Sequence, residues 1–219
     1  MLPRKPQFMV KALILDLDDT LIDSHDAHVK SYEEVFNEMG LSINRVLLER
    51  EFGKISEDII KTLIPGLPKL GIKRAVLAKR KLFLKHLDLV KPERCADEFL
   101  KNASRKYFLA IATSTSRREL LAVLKLFGWR DYFKVLLTSY EVLRPKPSPD
   151  LLLRTAELLG VSVSDCIFIG DSIFDALSAR NAGMPFIGVE TGSFSNEDFS
   201  RLGFKSFPNF CLLMKELLA

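Results

Sequence analysis

The chain has 219 residues, 47% of them hydrophobic and 27% charged, with a formal net charge of +4. That length supports one large α/β domain, or a core with a small accessory domain, and buries a sizeable core without staples. The basicity is mild and dispersed. The short clusters Lys79-Arg80-Lys81 and Arg117-Arg118 read as solvated helix faces, so no nucleic-acid partner is expected.

The three cysteines, Cys95, Cys166 and Cys211, lie far apart and form no CxxC pair. We expect no disulfide framework and no zinc site, and a reducing cytoplasm fits that usage. Cys166 opens an apolar run and reads as core. After Met1-Leu2-Pro3-Arg4-Lys5 comes an apolar stretch that Lys11 interrupts and Asp16 ends, with no small-residue cleavage site. No signal peptide is expected, and no run is long enough to span a membrane.

Residues 10–15 form the first apolar run, which stops at Asp16. Residues 24–95 lack clear strands and are rich in helix formers. Within them, 27–39 read as a helix stopped by Gly40, and 43–52, 56–63 and 73–89 read as three more, with Pro65-Gly66-Leu67-Pro68 as a turn. Strand-like runs return at 107–112, stopping at Thr113, and at 135–137, stopping at Thr138. Two more occupy 166–169, before Gly170-Asp171, and 186–189, before Glu190. Helices are expected between them at 117–127 and at 149–159, the latter ended by Gly160.

Apolar runs that end in polar residues mark strands buried on both faces. Their alternation with helices implies an α/β fold: a doubly wound parallel sheet of Rossmann type, with ligands beyond the carboxyl ends of the strands. Asp16, Thr113 and Asp171 fall at those ends. We expect a catalytic core of residues 1–23 and 96–219, with a helical cap of residues 24–95 inserted over its mouth.

The chemistry concentrates in four short segments. Asp16-Leu17-Asp18-Asp19-Thr20 follows the first strand directly, and its bend can turn two carboxylates into one site. Thr113, with Ser114 beside it, can hydrogen-bond phosphate oxygens or merely cap the next helix. Lys146 is held between Pro145 and Pro147, which restrict its backbone. Gly170-Asp171-Ser172-Ile173-Phe174-Asp175 puts two acids one helical turn apart. Four acids converging at neighbouring strand ends repel by about 4 kcal/mol per pair at roughly 4 Å and an effective dielectric of about 20. A divalent cation with oxygen ligands, together with Lys146, would compensate, and Mg²⁺ suits such a site.

In this order the four segments resemble the motifs of the haloacid dehalogenase superfamily, in its branch with a helical cap after the first motif, near the phosphoglycolate phosphatases and β-phosphoglucomutases. The resemblance spans about residues 10 to 192. It implies that Asp16 attacks phosphorus and forms an aspartyl-phosphate, with Asp18 as acid and then base. It further implies that Thr113, Ser114 and Lys146 hold the phosphoryl oxygens. Asp16, Asp18 through its backbone carbonyl, Asp171 and Asp175 would serve the metal. Two departures stand out: Asp19 occupies a position where many members have Gly, and the region 90–96 lacks the Pro-Gly pair often found where the chain re-enters the core.

The resemblance also implies that the cap selects the substrate. Phe52-Gly53-Lys54-Ile55-Ser56 resembles the cap loop facing the active site; Gly53 would permit a close approach and Lys54 would meet an anionic tail. His25 and His28 read as exposed residues at a helix start, Thr191 to Asn196 as rim, and Trp129 as packing. The expected activity is Mg²⁺-dependent hydrolysis of a small phosphorylated metabolite by a cytoplasmic monomer or homodimer that binds neither nucleic acid nor membrane. A phosphosugar mutase shares every core residue. Carbon–phosphorus hydrolysis through a cap lysine is conceivable, and a phosphate-accepting receiver module is the reading from another class. Receivers, however, lack a helical insertion after the first strand.

Overall fold

The computed structural model describes residues 10–218; the apolar stretch before residue 10 lies outside them. In chain order the strands are β1 (Ala12–Leu15), β2 (Ile22–Asp23), β3 (Lys91–Pro92), β4 (Phe108–Thr113), β5 (Phe133–Thr138), β6 (Cys166–Gly170), β7 (Phe186–Val189) and β8 (Lys205–Phe207). Six of them form one sheet in the order β5-β4-β1-β6-β7-β8. Every neighbouring pair in it runs parallel. β1 is central and the chain leaves it towards opposite sides, which opens a crevice at its carboxyl end.

Both faces of this sheet are covered, which is why its strands read as unbroken apolar runs. Leu13, Leu15, Ile111 and Ile169 point into one core, closed by α5 (Ala96–Ala103), α6 (Arg117–Phe127) and α10 (Phe210–Leu217). Ala12, Ile14, Ala110 and Phe168 point into the other, closed by α7 (Asp150–Leu159), α8 (Ile173–Ala182) and α9 (Asn196–Arg201). Cys166 and Trp129 are buried, and the Trp129 indole N–H donates to Asp97 Oδ1 at 2.6 Å.

Between β2 and β3 lie α1 (His25–Glu38), α2 (Arg45–Arg50), α3 (Ser56–Leu63) and α4 (Lys69–Lys85). They gather on a core of their own: Val29, Tyr32, Val35 and Phe36 of α1 pack with Leu48, Ile59, Ile60, Ile72 and Val76. Each such side chain, fully buried, contributes about 1.5–3 kcal/mol. β2 and β3 pair antiparallel, Ile22 opposite Pro92, where the chain leaves the sheet and returns to it.

Four expectations change. β3 is a short strand inside a stretch read as wholly helical, and β8 extends the sheet beyond the last expected run. Lys79 is not on a solvated face; it is buried. The cysteines do not stay apart, because Cys95 and Cys211 form a disulfide across 116 residues of chain. Sequence distance says nothing of contact here: Cys95 precedes α5 and Cys211 sits on α10, two helices that pack together. The bond removes the cysteine-based ground for a reducing cytoplasm. Among the described residues no helix is long and apolar enough to cross a membrane.

Candidate active site

At the end of β1 the chain turns sharply, with Asp16 at the strand tip and Asp19 at φ 51°. That left-handed conformation accounts for the difference at Asp19. Glycine adopts it freely, and aspartate is among the few other residues that tolerate it. The Asp19 carboxylate secures the turn by accepting from Ser24 N and Oγ, both at 3.2 Å.

Beneath this turn the loop after β5 delivers Lys146, and the start of α8 delivers Asp175. The Lys146–Pro147 bond is cis. Lys146 Nζ lies 3.1 Å from Asp16 Oδ1 and 2.7 Å from Asp175 Oδ1. Even so, Asp16 Oδ1, Asp175 Oδ1 and Lys146 Nζ are buried without satisfying hydrogen-bond geometry among the described residues. The contact is charge pairing, and both oxygens keep lone pairs for another cation. Asp175 Oδ2 accepts from Ser172 N at 3.1 Å and Ser172 Oγ at 2.6 Å, which caps α8 and fixes the rotamer. Asp171 follows β6 and accepts from Thr20 Oγ1 at 2.7 Å. A Cβ at Gly192 would run into the Asp171 carboxylate, so the segment after β7 presses on the site from behind. Thr191 Oγ1 donates to the Asp19 carbonyl at 2.5 Å.

The charges do not balance. Oxygens of Asp16, Asp171 and Asp175 lie within 4.8 Å of one another. Burial pushes Asp16 up to about 7; Lys146 opposes the rise, and the charges of Asp175 and Asp18 reinforce it. Burial and the charges of Asp175, Asp19 and Asp16 push Asp171 well above the usual carboxylate range. Burial works against the Lys146 charge, but Asp16 and Asp175 outweigh it and hold the ammonium above its usual range. Three buried carboxylates with one lysine between them form a donor set of hard oxygens that fits a divalent cation.

Asp18 is held differently. Its Oδ1 accepts from His28 Nε2 at 2.9 Å and Ser24 Oγ at 3.0 Å, and its Oδ2 accepts from Thr115 Oγ1. Burial alone would raise its pKa. The His28 charge, the hydrogen bonds from His28 and Thr115, and the Lys79 charge outweigh burial and hold it far below the usual range. His28 is therefore not an exposed residue: it is buried, stacked on Phe83 at 4.4 Å. His25 is partly exposed, between Asp19 and Glu49.

A small cavity of about 40 Å³ joins these residues to the cap helices. Asp16, Asp18, Thr113, Ser114 and Asp171 line it from below, and Gly53, Lys54, Tyr32 and Lys79 from above. Thr113 Oγ1 accepts from Thr115 N at 3.1 Å. The Ser114 hydroxyl donates to the Gly53 carbonyl at 2.6 Å and so ties cap to core. Lys54 Nζ is 2.6 Å from Glu51 Oε2 and 4.6 Å from the centre of the Phe174 ring. The sequence reading missed Thr115, Lys79 and Glu119, which lie in this lining.

The signature of the family described as "Haloacid dehalogenase-like hydrolase" matches residues 13–189. This chain belongs to the haloacid dehalogenase-like hydrolases. The hydrolase is 30% identical over 179 residues to "Pyrophosphatase PpaX" of Halalkalibacterium halodurans, covering 80% of this chain and 81% of that protein. It is 28% identical over 220 residues to "Phosphoglycolate phosphatase" of Psychrobacter arcticus, covering 94% and 95%. Its fold is that of a hydrolase from Pseudomonas syringae, with a TM-score of 0.88 at 23% identity, covering 94% of this chain and 97% of the other.

Proposed function

We propose that this phosphoric monoester hydrolase is a Mg²⁺-dependent phosphatase of a small phosphorylated metabolite, like a phosphoglycolate phosphatase in mechanism, working through an aspartyl-phosphate on Asp16. The observation that carries the reading is the state of Asp16: a carboxylate at a strand tip, lining the cavity, with Oδ1 unsatisfied beside Lys146. Relatives named as a phosphatase and a pyrophosphatase support transfer of a phosphoryl group to water.

Asp16 would attack phosphorus while the ester P–O bond breaks. Thr113, Ser114 and Lys146 would hold the phosphoryl oxygens. Asp18, ionised in this structure, would take up a proton as the ester binds and give it to the leaving oxygen, then take one from the water that cleaves the aspartyl-phosphate, releasing phosphate and restoring Asp16. Its ties to His28, Ser24 and Thr115 fix its direction. Mg²⁺ held by Asp16, Asp171, Asp175 and the Asp18 carbonyl would neutralise charge on the phosphoryl group. The β2–β3 ribbon supports a division into a core of residues 1–23 and 96–219 and a cap of residues 24–95, with Gly53 and Lys54 on the cap side of the substrate.

Asp16→Asn should lower kcat by several orders of magnitude, on the order of 10⁶ where a covalent nucleophile is lost elsewhere. EDTA should abolish phosphate release and Mg²⁺ restore it. A folded Asp16→Asn protein that turns over phosphomonoesters normally would overturn the assignment.

A further inference from the structure

Two opposite charges from the two halves of the molecule meet inside the cavity. Lys79 comes from cap helix α4 and is 3% exposed; Glu119 comes from core helix α6 and is 1% exposed. Lys79 Nζ donates to Glu119 Oε1 at 3.2 Å. Both side chains line the cavity that holds Asp16 and Asp18.

Their hydrogen-bonding capacity is not used up. An ammonium has three N–H donors, and Glu119 is the one hydrogen-bond partner of Lys79 Nζ among the described residues. The Lys79 ammonium also lies over the rings of Phe83 at 4.9 Å and Tyr32 at 5.6 Å, and its charge acts on Asp18 without a hydrogen bond to it. On Glu119, Oε2 is spent on Ser116, whose N–H and hydroxyl both donate to it in the cap of α6. Oε1 has Lys79 alone and can accept a second donor. A donor and an acceptor therefore stand side by side in a buried space, with no net charge.

We propose that Lys79 and Glu119 form the subsite for the part of the substrate beyond its phosphoryl group, and that the pair selects an uncharged hydroxyl over a carboxylate. A hydroxyl is both donor and acceptor, so it can accept from Lys79 Nζ and donate to Glu119 Oε1. A carboxylate only accepts. It meets Lys79 already neutralised and Glu119 as a like charge, at low effective dielectric. The other cap cation in the cavity does not change the balance, because Lys54 is paired with Glu51. The cavity is small, and Tyr32, Phe52 and Ile59 wall it with apolar surface, so the substrate is a short hydroxyalkyl phosphate. This inference rests on the phosphatase reading above and assigns its selectivity to two residues outside the four motifs.

Two esters of equal length separate the cases: 2-hydroxyethyl phosphate and 2-phosphoglycolate. The wild-type enzyme should favour the first in kcat/KM by about tenfold or more, the scale of selectivity a single well-placed contact provides. Glu119→Gln keeps an acceptor for Ser116 but removes the charge, and should shift the ratio towards 2-phosphoglycolate by at least about tenfold. Lys79→Met leaves Glu119 unneutralised and should shift the ratio the other way. The chemical step is common to both esters, so general damage to the site cancels in the ratio. A wild-type preference for 2-phosphoglycolate, or two variants that move the ratio in the same direction or not at all, overturns the subsite while the phosphatase reading stands. Phosphate release from neither ester, nor from any other phosphomonoester, overturns both.

Discussion

His25 and His28 enter the site together from the first turn of α1 and do different work. His28 is buried against Phe83 and fixes Asp18, while His25 bridges the first-motif turn to α2, 3.5 Å from Asp19 and 3.1 Å from Glu49. The hydrogen bond to Asp19 is the main cause that raises His25 to about 9, with burial opposing and Glu49 adding to the rise. A histidine raised on folding stabilises the fold below its ordinary value, and that contribution disappears as pH rises through the folded value. His25→Gln should therefore lower the melting temperature at about pH 6 and leave it unchanged at about pH 10. Equal losses at both values would show that the His25 charge is not what holds the turn. Sequence points to Asp16, Thr113 and Asp171 because each stands at the end of an apolar run, and to Lys146 because two prolines flank it. It could not reveal how nearby cations are paired. Lys54 is obvious in its loop and pairs with Glu51 of the cap, whereas Lys79, sitting in a basic triplet, is buried in the cavity wall against Glu119 of the core.

That miss was avoidable at the level of the helix. The buried residues of α4 are Ile72, Ala75, Val76, Lys79 and Phe83, so Lys79 falls on the apolar stripe at helical spacing. Helical periodicity, rather than the charge cluster, locates it. The strands of the sheet were legible because both faces are buried. β8 was not, because it is only three residues long and begins with an exposed lysine. The loop before α3 shows what spacing alone cannot supply. Gly53 has φ 98°, and a Cβ there would meet Ser172 Oγ at 2.5 Å and Phe174 at 3.2 Å. Ser172 caps α8 through Asp175, so the cap loop rests directly on the frame of the acidic cluster. Gly53→Ala must both strain the backbone, by about 1–2 kcal/mol, and push the loop off Ser172. We expect kcat/KM to fall by about tenfold or more, as misplacement near a reacting centre does elsewhere. Unchanged kinetics would show that the loop is not seated on the core during turnover.

At the scale of the whole molecule, the question is how a helical insertion stays registered over a rigid sheet. Two crossings connect them, paired as β2 and β3, and the Glu93 N–H adds a hydrogen bond to the Leu21 carbonyl at 2.9 Å. Just after that crossing, Cys95 at φ 65° is tied to Cys211 on α10. The point where the chain re-enters the core is thus fastened to an element near its other end. Closing 116 residues of chain constrains the unfolded state, and bonds of this kind contribute about 2–4 kcal/mol. For a chain of this size that corresponds to about 5–15 °C in melting temperature. The free cysteine, Cys166, is buried in the sheet and takes no part. Protein denatured without reductant should expose one reactive thiol, and reduced protein three. Reductant, or Cys95→Ser, should lower the melting temperature by the stated amount while leaving the proposed Mg²⁺-dependent phosphate release in place, since β1, β6 and α8 position the acidic cluster and α10 does not. Three reactive thiols before reduction, with no change in melting temperature after it, would show that the β2–β3 ribbon and core packing hold the crossing without the bond.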